Sequence, residues 1–162
     1  WGPSTHDSKL TADEQYTHIT LWSILGSPLL IGCDMAELDD FTLNLLCNSE
    51  VIDVNQDELG WQASRIYGDD SYATYLKPLA DGTVAVAMFN LSSEPKKIGF
   101  IPRSLGVIGS QVIRDLWRQK DIYTCGYRER WETEVAPHGC VFVKLTPVQK
   151  NFVPEGFDKN IK

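Results

Sequence analysis

The sequence contains no long apolar run and few clustered basic residues. No stretch approaches the roughly 18 apolar residues that a membrane-spanning helix requires. The longest basic cluster is the pair Lys96 and Lys97, and the net charge is −7 at pH 7. Basic patches are what attract nucleic acids and anionic membranes. The sequence therefore predicts neither a nucleic-acid partner nor a membrane partner.

The four cysteines form no Cys-x-x-Cys pair, and none has a histidine at metal-ligand spacing. This pattern favours buried thiols over a zinc site, and we predict no metal and no cofactor. A disulfide between Cys125 and Cys140 stays open as an alternative, because it requires only that their strands are neighbours.

Hydrophobic residues make up 43% of the chain, which suffices for a packed core. The first helix is predicted over residues 12–25. Thr11 and Glu14 have the spacing of a capping box, and Gly26 is placed to end the helix. The predicted apolar stripe of this helix consists of Tyr16, Ile19, Trp22 and Leu25.

The residues after this helix predict a strand and then a second helix. Residues 29–33 form an unbroken apolar run, which is typical of a strand buried on both faces. The second helix is expected near residues 39–48, with an Asp as its N-cap, and Ser49 is expected to cap one or two further turns. This helix–strand–helix order is part of an α/β repeat.

From Trp61 onward, short runs alternate apolar and polar residues, as in "SYATYLKPL", "GTVAVAMFNLS", "KKIGFIP", "SQVIRDLW" and "CVFVKLTP". The pair Asp81 and Gly82 is a hairpin signal. About six to eight short strands at this spacing predict an antiparallel sandwich over residues 59–148. We expect residues 149–162 to form an irregular tail. Within "TVAVAMF", the two predicted faces are Val84, Val86 and Met88 on one side, and Ala85, Ala87 and Phe89 on the other.

Several stretches resemble one enzyme family. "LTADEQYTHITLWSILGSPLLIGCDM" and "LLCNSEVIDVNQDELGWQ", with the later "RDLW" and "APHGCVFVKL", are similar to the C-terminal part of family 27 glycoside hydrolases. These are α-galactosidases and α-N-acetylgalactosaminidases, also called melibiases. The resemblance implies a mixed fold: residues 1–58 are an incomplete remnant of a catalytic β/α barrel, and the all-β sandwich is the C-terminal domain.

The resemblance also implies the chemistry of the whole enzyme. Family members are retaining glycosidases, which need two carboxylates about 5–5.5 Å apart. In the family the nucleophile is the Asp of a Tyr-Leu-Lys-Tyr-Asp-like strand end, and the acid/base is an Asp further along the chain. An Asp-Pro-Asp-Met motif binds the substrate. Neither motif occurs in this sequence. We therefore assign no catalytic residue and expect the chain alone to be inactive, with the catalytic Asp pair upstream. The family further implies a secreted, periplasmic or lysosomal location and an α-galactoside-type substrate.

Three residues are weak candidates for contacting carbohydrate. Asp34 follows the predicted strand, where barrel enzymes place their acids, but a loop acid that accepts backbone N–H bonds is the stronger interpretation. Trp117 and Trp131 could stack on sugars, although packing in the core is favoured. A carbohydrate-binding module and a purely structural domain therefore stay open as alternatives. Asn90-Leu91-Ser92 is an N-glycosylation sequon, and the sequence does not decide whether Asn90 is glycosylated.

The predicted remnant has apolar surface that needs cover. An unpaired strand edge and an exposed apolar helix stripe both promote association. Residues 1–58 are expected to fold back on the sandwich, to form a homodimer, or to bind the missing barrel segment as a separate chain.

Overall fold

Three α-helices precede eight β-strands in the computed structural model, which describes residues 8–148. The helices are α1 (Ala12–Ile24), α2 (Asp40–Leu46) and α3 (Ser49–Asn55). The strands are β1 (Ser64–Gly68), β2 (Tyr72–Pro78), β3 (Val84–Asn90), β4 (Lys96–Phe100), β5 (Gln111–Asp115), β6 (Lys120–Cys125), β7 (Trp131–Val135) and β8 (Cys140–Pro147). The predicted tail over residues 149–162 lies outside the described residues. Among the residues described, no helix combines the length and apolarity needed to cross a bilayer.

The strands confirm the predicted antiparallel sandwich. One sheet has six strands in the order β1-β2-β3-β8-β5-β6, and the other pairs β4 with β7. The central strand β3 is covered on both sides, as the alternation of "TVAVAMF" predicts. Val86 and Met88 belong to the core between the sheets, whereas Ala85, Ala87 and Phe89 pack in a second core against the helices.

The start and end of α1 follow the predicted capping signals. Glu14 N donates to Thr11 Oγ1 at 3.3 Å, and Thr11 N donates to Glu14 Oε2 at 2.7 Å, which completes the capping box. Gly26 follows the helix with φ +64°, a left-handed conformation that glycine adopts without steric cost.

The predicted apolar stripe of α1 is not the face of the helix that packs on the sandwich. The buried residues of the helix are Thr20, Ser23 and Ile24, and Trp22 is 41% exposed. The helix lies against β3 and β8. Small side chains allow a helix to approach a sheet closely, and this explains why Thr20 and Ser23 occupy the contact. The large Trp22 ring is directed to the opposite side.

The predicted strand Leu29–Cys33 is not formed. Its residues pair with no strand among the described residues, and Leu30 is 89% exposed. Strand geometry depends on hydrogen bonds to a neighbour, and every described strand pairs within the sandwich instead. The segment is therefore part of the connection between α1 and α2.

The predicted N-cap is correct for α2 and wrong for α3. Asp39 caps α2, as expected for an Asp at this boundary, and its Oδ1 accepts Thr42 N at 2.7 Å. The predicted cap of the following helix is wrong by one residue. Asn48, rather than Ser49, accepts Val51 N at 3.2 Å and caps α3.

The structure excludes the disulfide that the sequence left open. Cys125 is paired with Gln111 across β5 and β6, and Gln111 is paired with Pro147 of β8. Cys140 lies at the opposite end of that strand, so roughly 20 Å of strand separates the two thiols. A disulfide requires Cα atoms within about 7 Å. Both thiols are free, and burial raises the pKa of Cys140 to about 11.

Asp81 connects the turn between β2 and β3 to strand β8 through hydrogen bonds. Its Oδ1 accepts hydrogen bonds from Thr83 N at 2.9 Å and from the Thr83 hydroxyl, and its Oδ2 accepts one from Lys144 Nζ at 2.9 Å. Burial works to raise the pKa of Asp81, but these bonds outweigh it and lower the pKa from 3.8 to about 2.

We expect Asp81→Asn to remove part of the acid sensitivity of the fold. A carboxyl with a lowered folded-state pKa stabilises the protein above its unfolded value of 3.8, and this contribution is lost as the pH falls towards about 2. The melting temperatures of the wild type and the variant should therefore differ at pH 6 and converge only as the pH falls from about 4 to about 2. Asp70→Asn, at an exposed carboxyl, is the matched control. A difference that stays constant with pH would contradict the assignment.

Candidate functional site

Asp34 lies on the surface, at the start of a short 3₁₀ turn over Met35–Glu37. Its Oδ1 accepts the backbone N–H of Ala36 at 3.0 Å. This is the geometry of an acid that caps a turn by binding a backbone N–H. The carboxylate remains exposed to solvent.

The two tryptophan candidates lie in packed surroundings. Trp131 is 9% exposed and packs against Phe100, with 5.2 Å between the ring centroids, inside the core of the sandwich. Trp117 is half-buried beside α1. Its Nε1 donates to Thr20 Oγ1 at 2.9 Å, and its ring lies edge-on to Tyr16 with centroids 4.8 Å apart. The structure therefore does not gather Asp34, Trp117 and Trp131 into one site.

An apolar groove lies on the side of α1 that faces away from the sandwich. It is bounded by α1, the Leu29–Cys33 segment and the helices α2 and α3, and it encloses about 410 Å³. We call it the barrel-side groove; Leu10, Ile19, Trp22, Leu30, Leu46 and Ile52 are among its lining residues. Cys33 also lines it. Cys33 and Cys47 are both exposed, so the prediction of buried thiols is wrong for these two cysteines. A groove of this composition can bind apolar protein surface.

Polar contacts join the helices to the sandwich at several points. Arg114 of β5 forms a two-pronged ion pair with Glu50 of α3, with Nε–Oε2 at 2.8 Å and Nη2–Oε1 at 2.7 Å. Asn48 Nδ2 donates to Leu116 O at 3.0 Å, and Thr17 Oγ1 donates to His138 O at 2.8 Å. These contacts fix the helical segment, and the groove with it, relative to the sheets.

Lys77 makes the most deeply buried of these contacts between the sandwich and the helices. Its side chain, on β2, is 0% exposed, and its Nζ donates to Val54 O near the end of α3. Burial lowers the pKa of Lys77, and the nearby Asp57 carboxylate opposes this by favouring the charged form. An ammonium at a helix C-terminus pairs with a carbonyl that has no partner within the helix.

Sequence reasoning missed Lys77 and the Arg114–Glu50 pair. A lysine in an alternating strand gives no sign of whether it faces solvent or the core. The pairing partners are far apart in the chain, so no local spacing reveals them. Within residues 8–148 there is no cluster of three or more His, Cys, Asp or Glu side chains that could hold a metal ion.

Two sequence profiles of α-galactosidases match consecutive segments of this chain. The sequence profile described as "Alpha galactosidase A" matches residues 5–57. The profile described as "Alpha galactosidase C-terminal beta sandwich domain" matches residues 69–145. The structure also resembles a GH27 β-L-arabinopyranosidase from Geobacillus stearothermophilus, with a TM-score of 0.83 and 32% identity over 93% of this chain and 34% of that one. The chain belongs to glycoside hydrolase family 27.

Other family 27 relatives match the same region. An α-galactosidase of Oryza sativa is 36% identical, over 83% of this chain and 32% of its own length. The crystal structure of α-galactosidase I from Mortierella vinacea superposes with a TM-score of 0.79 and 27% identity, over 85% of this chain and 36% of that one. The chain thus spans about a third of the length of these relatives and corresponds to the C-terminal part of an α-galactosidase-like protein.

Proposed function

We propose that this chain is the C-terminal segment of a retaining glycosidase that removes terminal α-galactosyl or α-N-acetylgalactosaminyl residues. The consecutive matches of the two family profiles, to residues 5–57 and 69–145, carry this proposal. The rice and Mortierella relatives are named α-galactosidases. The Geobacillus relative is named a β-L-arabinopyranosidase, so an arabinopyranoside is a second substrate to test.

The contribution of this segment is structural. The sandwich holds α3 in place through Lys77 and Arg114 and holds α1 through Trp117, and these helices present the barrel-side groove. The packed positions of Trp117 and Trp131 favour this role over a separate carbohydrate-binding module, since a sugar-stacking ring needs a free face. Residues 1–58 would then be barrel and residues 59–148 its supporting domain.

The isolated 162-residue chain should not hydrolyse an aryl α-galactoside. Retaining chemistry needs a nucleophile and an acid/base about 5–5.5 Å apart, and Asp34 caps a turn. An intact family 27 α-galactosidase serves as the positive control, and release of the aryl alcohol is the measurement. Turnover that persists through purification and disappears in Asp34→Asn would contradict the prediction and make Asp34 catalytic.

We further propose that the barrel-side groove contacts the rest of the barrel. The support is the exposure of Leu30 and Trp22, together with the two thirds of the relatives' length that this chain does not span. Burying large apolar side chains contributes about 1.5–3 kcal/mol each, so a complementary barrel surface would gain substantially from covering them.

Thiol labelling can test this contact. In the isolated chain, Cys33 and Cys47 are exposed and should react with N-ethylmaleimide, whereas the less accessible Cys125 and Cys140 should react slowly. Adding a separately produced barrel segment of a family 27 α-galactosidase should slow the labelling of Cys33, which lines the groove, much more than that of Cys47. Protection of Cys33 that instead increases with the concentration of the chain alone would favour a homodimer. Equal rates with and without the barrel segment would exclude the proposed contact.

A further inference from the structure

The sequon Asn90-Leu91-Ser92 lies where the two sheets of the sandwich meet. Asn90 is the last residue of β3 in the six-stranded sheet, and its side chain is 1% exposed. Its Nδ2 donates to Val135 O and Ala136 O, both at 3.0 Å, at the end of β7 in the other sheet. A third acceptor, Glu94 O, lies at 2.8 Å. One side chain therefore connects both sheets and the loop between β3 and β4.

The hydrogen-bonding capacity of this amide is fully used. A carboxamide NH₂ has two hydrogens, and three carbonyl oxygens surround the one on Asn90. The other amide atom, Oδ1, accepts Ser92 N at 3.0 Å and Ser92 Oγ at 2.7 Å. The backbone N–H of Asn90 donates to Gly139 O at 3.0 Å. The folded sandwich thus leaves no polar group of Asn90 directed to solvent.

N-glycosylation would change this amide directly. Its Nδ2 forms a bond to the anomeric carbon of an oligosaccharide, the bond from that carbon to the lipid diphosphate carrier breaks, and Nδ2 loses one proton. The product has a single N–H, and a sugar ring replaces the other hydrogen. That ring cannot be accommodated beside Val135 O and Ala136 O, because these oxygens lie at hydrogen-bond distance from Nδ2.

We propose that Asn90 is a glycan acceptor only in the unfolded chain, and that a glycan attached there prevents the two sheets from closing. Folding and glycosylation then exclude each other. A chain that folds first buries the acceptor, and a chain that is glycosylated first cannot restore the contacts of Asn90 with β7. In a eukaryotic secretory compartment, the order of the two events decides how much native protein forms.

The test compares the chain produced in a eukaryotic secretory host with the chain produced in bacterial cytoplasm. In the secretory host, mass spectrometry should find unmodified Asn90 in the protease-resistant fraction and a glycan on Asn90 in the protease-sensitive fraction. Ser92→Ala removes the sequon and keeps Asn90. It should raise the folded yield several-fold in the secretory host and leave it equal or lower in bacteria, because the variant loses the Ser92 Oγ hydrogen bond.

Ser92→Thr, which preserves both the sequon and the hydroxyl, is the matched control and should behave like the wild type. Two results would overturn the proposal. One is a protease-resistant protein that carries a glycan on Asn90 and melts at the same temperature as the unmodified chain. The other is the absence of the glycan from both fractions, since the unfolded chain would then not be an acceptor.

Discussion

Replacing Lys77 with alanine is expected to lower the free energy of unfolding by about 3–5 kcal/mol. The side chain is fully buried, so truncation leaves a cavity between β2 and α3. The change also leaves Val54 O without its donor, and an unsatisfied buried carbonyl costs about 1–3 kcal/mol by itself. Urea denaturation followed by tryptophan fluorescence measures the loss.

Two other variants separate the causes of this effect. Lys77→Met keeps most of the volume and removes only the donor, so it should cost about 1–3 kcal/mol. Lys97→Ala removes an exposed lysine from β4 and should stay within about 0.5 kcal/mol of the wild type. If Lys77→Ala proves as mild as Lys97→Ala, the lysine does not hold α3 to the sandwich.

The lowered pKa of Lys77 adds a pH dependence to this prediction. Between its folded-state pKa and 10.5, the unfolded chain binds more protons at this position than the folded chain does. The stability of the wild type should therefore rise as the pH increases through that window. Lys77→Met should lack this rise, and an identical pH profile for the two proteins would contradict the assigned burial of the ammonium.

Local signals in the sequence predicted much of this fold correctly. The capping box of Thr11 and Glu14 depends on residues three apart, and the hairpin at Asp81 and Gly82 depends on two adjacent residues. The alternation in β3 correctly predicted which residues share each face of the strand. Side chains of a strand alternate between its two faces whatever packs against them. Each of these features is determined within one element.

The errors concern features that depend on distant partners. The apolar run of Leu29–Cys33 is suitable for a strand, but a strand also needs neighbours, and the described residues supply none there. The spacing of Trp22 in α1 predicted an apolar stripe, but it could not reveal that the sandwich packs on a different face of the helix, which carries Thr20 and Ser23. For the same reason the inward direction of Lys77 could not be inferred: Val54, its partner, comes from another element.

The second large effect is expected for Asn90→Asp, which changes one NH₂ group to an oxygen at constant size. The aspartate would place a carboxylate against the carbonyl oxygens of Glu94, Val135 and Ala136, where Asn90 now donates. An ionised carboxylate has no hydrogen to donate, and an uncompensated buried charge costs about 3–5 kcal/mol. The variant should therefore be strongly destabilised at pH 7, as measured by urea denaturation.

The loss should depend on pH, and this distinguishes the buried charge from a general packing defect. Ser92 N and Oγ still donate to one oxygen of the new carboxyl, but the other oxygen is buried among three carbonyl oxygens. This burial raises the pKa of the carboxyl above the value of about 3.9 for an unfolded Asp. Its penalty is then complete above the raised pKa and declines as the pH falls towards about 4, where protonation returns one O–H donor. Asn44→Asp, on the exposed side of α2, is the matched control and should show no such recovery. If Asn90→Asp loses the same stability at pH 4.5 as at pH 7, its carboxylate is not confined among these carbonyls, and the connection between the two sheets through Asn90 would have to be rejected.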